Sequence, residues 1–282
     1  MRPFACCAGR LVGILLLVLP ITLGVAGEVE AADPPQPQKK ILLVASQPDH
    51  PWATHMYEHE CKLLGKCLEN VPGVRAITSV GWPRDEAQLA DVKAIVFYCK
   101  HAGDILLDEA RRRQCERLLR GGAGLTAIHW STGADVKYGP AYLDVLGGWF
   151  NRAHSGLSTG EAWLTKANPK HPICNGWQEW KIRDEFYLNL RFHKDAKPLL
   201  TVKVDGMDQV VGWTLERGDS NGGRSFGTTL GHFHDNFARD DFRRLVVNGI
   251  LWTAHEEVPE EGANVNVDEQ YVKLPPRPAE TK

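Results

Sequence analysis

The chain has no surplus of charge: 33 Lys and Arg stand against 35 Asp and Glu, a net charge of −2. No long run of one sign interrupts it, and Arg111-Arg112-Arg113 falls in a helical pattern as a solvated face. The basic stripe that nucleic-acid binding needs is therefore missing. Cysteine is scarce. Beyond residue 32 only Cys61, Cys67, Cys99, Cys115 and Cys174 remain. An odd number leaves at least one thiol unpaired within the chain, and Cys61 and Cys67, six apart on a helical pattern, do not face each other, so no disulfide framework is read here. No Gly-x-Gly-x-x-Gly follows the first apolar strand, so the dinucleotide fingerprint is absent. No Gly-x-Cys-x-Gly turn exists either. Cys99 closes an apolar strand without the sharp turn that would present a nucleophile, and it reads as core.

One apolar run stands out, Leu11–Val25, interrupted by Pro20 and preceded by Arg2 and Arg10. It is short for a membrane span, which needs about 20 residues. With Val29-Glu30-Ala31 behind it, the run predicts a cleaved export signal over 1–32. That places the protein in the periplasm or outside the cell, with no stable membrane anchor. Residues 33–39, rich in Pro and Gln, predict an extended linker. Residues 40–256 predict one folded domain, and 257–282 an extended or disordered acidic and Pro-rich tail. The oligomeric state is not encoded legibly.

Within the domain, strands and helices alternate. Lys40–Ala45, Val74–Val80, Ala94–Cys99 and Leu125–His129 read as strands, with Ile41–Ala45 and Ala94–Cys99 continuously apolar as in buried parallel sheets. Helices are expected from Thr54 to about Asn70, over Asp108–Arg120 and over Tyr142–Leu146. This predicts an α/β fold, doubly wound, with a mainly parallel sheet. The second half is strand-rich: Gly160–Lys166, Glu185–Phe192, Leu199–Val204, Val210–Glu216 and Ser225–Leu230. Asn221-Gly222-Gly223 supplies a turn between the last two. A closing helix spans Asp240–His255.

In such folds, sites form outside the carboxyl ends of the strands. Gly121-Gly122-Ala123-Gly124 leads into a strand that ends at His129, the place where related folds present a nucleophile. A histidine there serves as base, acid or metal ligand. It does not replace a cysteine in acyl transfer. His232-Phe233-His234 follows another strand end. If the strand persisted, both imidazoles would share a face; if it had ended, His232 alone would point inward. His154 follows Phe150, while His50 and His55 follow the first strand. These segments predict a transition-metal site, with zinc as one candidate and His129, His154 and His232 as ligands. Asp184 and Glu185 are adjacent carboxylates of which only one can face a site on a strand. The pattern His55-Met56-Tyr57-Glu58-His59 matches an inverted zinc-peptidase motif, but it directly follows the first strand of a Rossmann-like sheet, which is the wrong context for that class. His59 is expected on the solvated helix face. Nine tryptophans, among them Trp52, Trp130, Trp149 and Trp213 in the loops, suit stacking on sugar rings.

Several separated pieces together carry a resemblance. They are Asp49-His50-Pro51-Trp52-Ala53-Thr54-His55, the Gly-Gly-x-Gly-Leu-x-x-Ile-His run ending at His129, Gly147-Gly148-Trp149-Phe150 with His154, and His171-Pro172-Ile173 leading to Asp184-Glu185-Phe186-Tyr187. Trp213, Gly223-Arg224, Gly231-His232 and Gly249-x-x-Trp252 complete the set. Over Lys40–Glu256 the chain resembles the trehalose-utilisation (ThuA-like) family, a branch of the class I glutamine amidotransferase-like superfamily. The resemblance implies a flavodoxin-like sheet and a role in carbohydrate metabolism. It places Asp184 and Glu185 in the family's pocket.

The expected function is a hydrolase or lyase acting on a sugar or glycoside, keto-sugars included. Its acid/base residues would be His129, Glu185 and Asp184. Its substrate-binding residues would be His50, His55, Trp130, His154, Trp213 and Arg224. The alternative is a carbohydrate-binding protein without turnover on a decayed amidotransferase scaffold.

Overall fold

The computed structural model describes residues 38–277. The expected export signal and nearly all of the linker lie outside the described residues. Among the described residues, no helix is long and apolar enough to cross a membrane.

The first half alternates as expected: β1 (Lys39–Ala45), α1 (Tyr57–Leu68), β2 (Val74–Val80), α2 (Glu86–Leu89), β3 (Val92–Tyr98), α3 (Ala102–Leu106), α4 (Arg112–Arg120) and β4 (Gly124–Ile128). After α5 (Gly139–Leu146) come mostly strands: β5 (Gly148–Trp149), β6 (Gly156–Lys166), β7 (Trp180–Leu188), β8 (Arg191–Phe192), β9 (Lys197–Val204), β10 (Met207–Glu216) and β11 (Arg224–Thr228). Three helices close the chain: α6 (His234–Ala238), α7 (Asp240–Thr253) and α8 (Glu269–Val272).

Nine strands form one sheet in the order β2-β1-β3-β4-β11-β10-β9-β6-β7. The first five are parallel, a flavodoxin-like arrangement. The remaining pairings are antiparallel. Alternation along β1 assigns the two faces. Ile41, Leu43 and Ala45 pack with α1 and α7, while Leu42 and Val44 pack with α4 and α5. All five are fully buried, which explains the unbroken apolar run.

Two differences from the sequence expectation matter for the site. The first helix starts at Tyr57, not Thr54, because Ala53 (φ 66°) and His55 (φ 48°) are both left-handed. Thr54 instead makes a bridge to Phe233, and its hydroxyl donates to the Pro51 carbonyl. The segment after Glu256 is irregular but packed, so disorder is not what the described part shows. Ala263 and Val265 are buried, Asn248 accepts the Ala263 N–H, and Asn70 donates to the Asn264 and Asn266 carbonyls.

The β6–β7 hairpin joins the main sheet only through Thr165 and Lys166. Its other end swings over the carboxyl ends of the parallel strands, where Tyr187 of β7 reaches His129.

Candidate metal centre

His129 directly follows β4 and opens a one-turn 3-10 helix. Its φ of 54° is the left-handed conformation that a sharp strand-to-turn junction imposes. The side chain is wholly buried, and Nδ1–H donates to the Thr229 carbonyl at 2.6 Å. A carbonyl only accepts, so the proton sits on Nδ1 and the Nε2 lone pair faces the site.

Two further ring nitrogens meet it. His55 Nε2 lies 2.9 Å from His129 Nε2, and His232 Nδ1 lies 3.1 Å from it. His55 Nε2 and His232 Nδ1 are 2.9 Å apart. Three donors held at right angles about 2.1 Å from one ion stand about 3.0 Å from each other, so this triangle fits a facial set of three imidazoles. Backbone pairing brings the two outer members together. His55 N–H donates to the His232 carbonyl, and His234 N–H donates to the Ala53 carbonyl. Tyr57 Oη contacts His55 Nδ1 at 2.6 Å, and Asp49 Oδ1 lies 3.8 Å from the same nitrogen, a second layer that orients the His55 ring.

Burial, first, and the neighbouring imidazoles, second, keep the three rings neutral. Desolvation and His232 lower His129 to about 3. Desolvation and His50 lower His232 to about 4. His55 is pushed far below the ordinary imidazole range, with His129 the largest charge contribution. Neutral imidazole is the form that binds a metal.

Glu185 faces this triangle. Its Oε2 lies 3.8 Å from His129 Nε2 and 3.7 Å from His232 Nδ1. Burial raises its carboxyl above the ordinary range. Asp184 points the other way, among Ile182 and Phe186 on the buried face of β7. It accepts N–H groups from Gly231 (2.7 Å), His232 (2.9 Å) and Glu185 (2.8 Å), and the Asn236 Nδ2 (2.9 Å). Burial pushes it up to about 7 against those hydrogen bonds. Asp184 thus holds the loop that delivers His232 and does not face the site. Gly231, at φ 107°, supplies the bend there.

A lip surrounds the centre. His50 stacks on His55 at 3.6 Å and meets Trp130 edge-on at 4.8 Å. Phe150 stacks on Tyr187 at 4.1 Å. Separate surface grooves lie along α1, α7 and the C-terminal segment.

Besides Asp184, three expected site residues do not join, and neither does His234, which the sequence leaves open. His154 turns back on Trp149, with ring centroids 4.6 Å apart, and so is not a third ligand. Trp213 is fully buried, wedged against Gly148 and Gly227, and donates its indole N–H to the Leu146 carbonyl. Arg224 opens β11 and so lies at the opposite edge of the sheet, over Trp252. His234 starts α6 and pairs with Glu60, because β11 has already ended. The peptidase-like pattern also dissolves: His55 precedes the helix and serves a different cluster from His59. His59 is half-buried, with Nε2 shut away from solvent. Cys99 is buried against Ser131, and burial pushes its thiol up to about 12, so it is no thiolate.

Sequence reading passed over Asp49, Tyr57 and Tyr187. Tyr187 carried a usable signal, since residues two apart on a strand share a face and Glu185 was already a candidate.

An α/β protein with a flavodoxin-like parallel core and a three-imidazole centre at its carboxyl edge is therefore the class in hand. The sequence profile "Trehalose utilisation" (ThuA) matches residues 52–253, and the chain belongs to that family. A putative ThuA-like protein from Bacteroides uniformis is similar in structure, with a TM-score of 0.59 at 18% identity over 79% of this chain and 94% of that one. Another, from Parabacteroides merdae, gives a TM-score of 0.56 at 17% identity over 84% of this chain and all of that one. No curated protein matches the sequence.

Proposed function

We propose that the centre acts on a carbohydrate, with His55, His129 and His232 holding a divalent transition metal and Glu185 moving the proton. The observation that carries this reading is the triangle of neutral imidazole nitrogens, 2.9–3.1 Å on a side, with one carboxylate opposite. A divalent ion there supplies Lewis acidity toward a carbonyl or hydroxyl oxygen. Glu185, 3.7–3.8 Å from two of the imidazole nitrogens and with its carboxyl raised by burial, is placed to move a proton at the centre. It can take a proton from water or from the carbon beside a sugar carbonyl, leading to hydrolysis or elimination. Trp130 at the lip offers an aromatic face for a sugar ring. The family's description and the resemblance read from the sequence support carbohydrate as the substrate class.

The test is to incubate the full chain with a panel of disaccharides and their keto derivatives, with and without added divalent ion. Glu185→Gln should lower turnover by about 100-fold or more while leaving metal content unchanged. Binding of a sugar with no turnover in any arm would favour the non-catalytic alternative. Metal lost along with activity in Glu185→Gln would make that carboxylate a ligand rather than a base.

The lowered imidazole values set the acid behaviour. An ordinary histidine takes up its proton near pH 6.5. His129 and His232 hold off theirs to about 3 and about 4. Cobalt(II) affinity at pH 5.5 should thus stay within about tenfold of that at pH 7.5. A midpoint of loss near 6.5 would mean that the imidazoles are ordinary. For the metal-free fold the sign is as follows. These imidazoles bind fewer protons folded than unfolded, so their contribution is complete above 6.5 and is lost as pH falls toward 4. Asp184 and Glu60, both raised to about 7, work in the opposite direction over pH 7 to about 4.

The N-terminal apolar run further supports export. The chain recovered from its native host should begin near Ala32 or Asp33 by intact-mass measurement. An intact Met1 would sink this.

A further inference from the structure

A second cluster lies behind the first. His59 and Glu60 of α1 and His234 of α6 bring one donor atom each to within 4.8 Å of one another. His234 Nδ1 contacts Glu60 Oε1 at 2.6 Å, and the His59 and His234 rings are 5.6 Å apart. Glu60 is wholly buried, yet its Oε2 has no partner among the described residues. His59 Nε2 is likewise buried and unpartnered. The Val272 backbone acts on the His59 ring from the α8 side. Two buried polar atoms without a partner leave a gap in the hydrogen bonding of this cluster, and a divalent ion is one group that fills it from both sides. The guanidinium of Arg243, whose charge also acts on Glu60, does not fill it. Its two terminal nitrogens bond the Phe237 and Ala238 carbonyls and Asp240, and its Nε–H, though without a partner among the described residues, makes no hydrogen bond to Glu60.

We infer that His59, Glu60 and His234 form a second divalent-metal site, distinct from the three-imidazole centre. Two imidazoles and one carboxylate are a donor set for zinc, iron(II) or manganese(II). The Val272 backbone is the outer partner that orients a ligating ring. A groove lined by His59, Leu63, Ala76, Thr78 and Tyr271 gives the ion a way in. The site joins three separate pieces of chain: α1, the segment entering α6, and α8. His234 stands two residues beyond His232, so an ion here fastens the strand of backbone that delivers His232 to the first centre.

The full chain, stripped with chelator and titrated with cobalt(II) or zinc, tests this. In a His129→Ala background, which silences the first centre, one equivalent should still bind. Adding His59→Gln, at a half-buried position that tolerates it, should remove that equivalent. In the otherwise native chain, His59→Gln should lower the content by one ion. No uptake by His129→Ala, with its circular dichroism native-like, overturns the proposal. So does an equivalent that survives His59→Gln in that background. If the native chain holds a single ion that His59→Gln removes and His129→Ala does not, this site stands and the metal at the three-imidazole centre falls. Should His129→Ala fail to fold, the native chain and His59→Gln alone decide: equal metal content in the two overturns the proposal.

Discussion

His129→Ala should abolish turnover and weaken cobalt(II) binding at the three-imidazole centre by more than about 100-fold, the upper range for loss of a mere supporting partner. His129 contacts both other ligand candidates, sits 3.8 Å from Glu185 and is the most deeply buried corner of the triangle together with His55. Removing it leaves two imidazoles, a set that holds divalent ions weakly. The fold should survive at a cost of about 1–3 kcal/mol, because the Thr229 carbonyl loses its donor in a buried place. The control is His154→Ala. That ring packs on Trp149 away from the centre and should leave metal content unchanged. Metal content, turnover and a urea melt on both variants check the pair. The assignment fails if His154→Ala loses the ion while His129→Ala keeps it.

Asp184→Ala should be the most destabilising single change near the site, by about 3–5 kcal/mol. One buried carboxylate accepts three backbone N–H groups and one side-chain amide, and an alanine leaves all four donors unpaired without water to replace it. The loop from Gly231 should then lose its anchor, so metal affinity should fall together with stability. Asp184→Asn keeps one acceptor oxygen and should lie between the two. Chemical denaturation with a parallel cobalt(II) titration reads both quantities. A melt within about 0.5 kcal/mol of the native chain would show that Asp184 is dispensable, and a stable Asp184→Ala protein with no turnover and full metal would return it to the acid/base role.

The parallel half of the fold was legible because buried parallel strands are written as unbroken apolar runs, and Ile41–Ala45 is one. The position of His129 followed from the same logic, since a residue just past a parallel strand must lie at the carboxyl edge. Applied consistently, that logic also excludes Arg224. It begins β11, and in a parallel strand the first residue and the last are at opposite edges. Trp213 was misplaced for another reason. Its neighbours across the sheet, Gly148 and Gly227, leave a slot that only an indole fills, and such a fit between distant segments has no local signature. His154 and His234 were decided by where a loop turns and where a strand stops. Both are tertiary outcomes. The sequence of β7 did announce that Asp184 and Glu185 would part, but not which would face the imidazoles. That depended on the β6–β7 hairpin leaving the sheet after Thr165 and Lys166.

That departure of the hairpin has a kinetic consequence. The centre is stitched from residues remote in the chain: His55 and His232 are 177 positions apart, and His129 and Tyr187 are 58 apart. Contacts of such span are entropically slow to close. The β1–β4 part of the parallel core can consolidate from nearer neighbours, while the imidazoles and Glu185 meet only after β11 has paired with β4 and the β6–β7 hairpin has swung across. An ion that needs all three rings cannot reward any partly folded species. Its uptake rate during refolding therefore clocks the final closure of the molecule, separately from the earlier burial of the core.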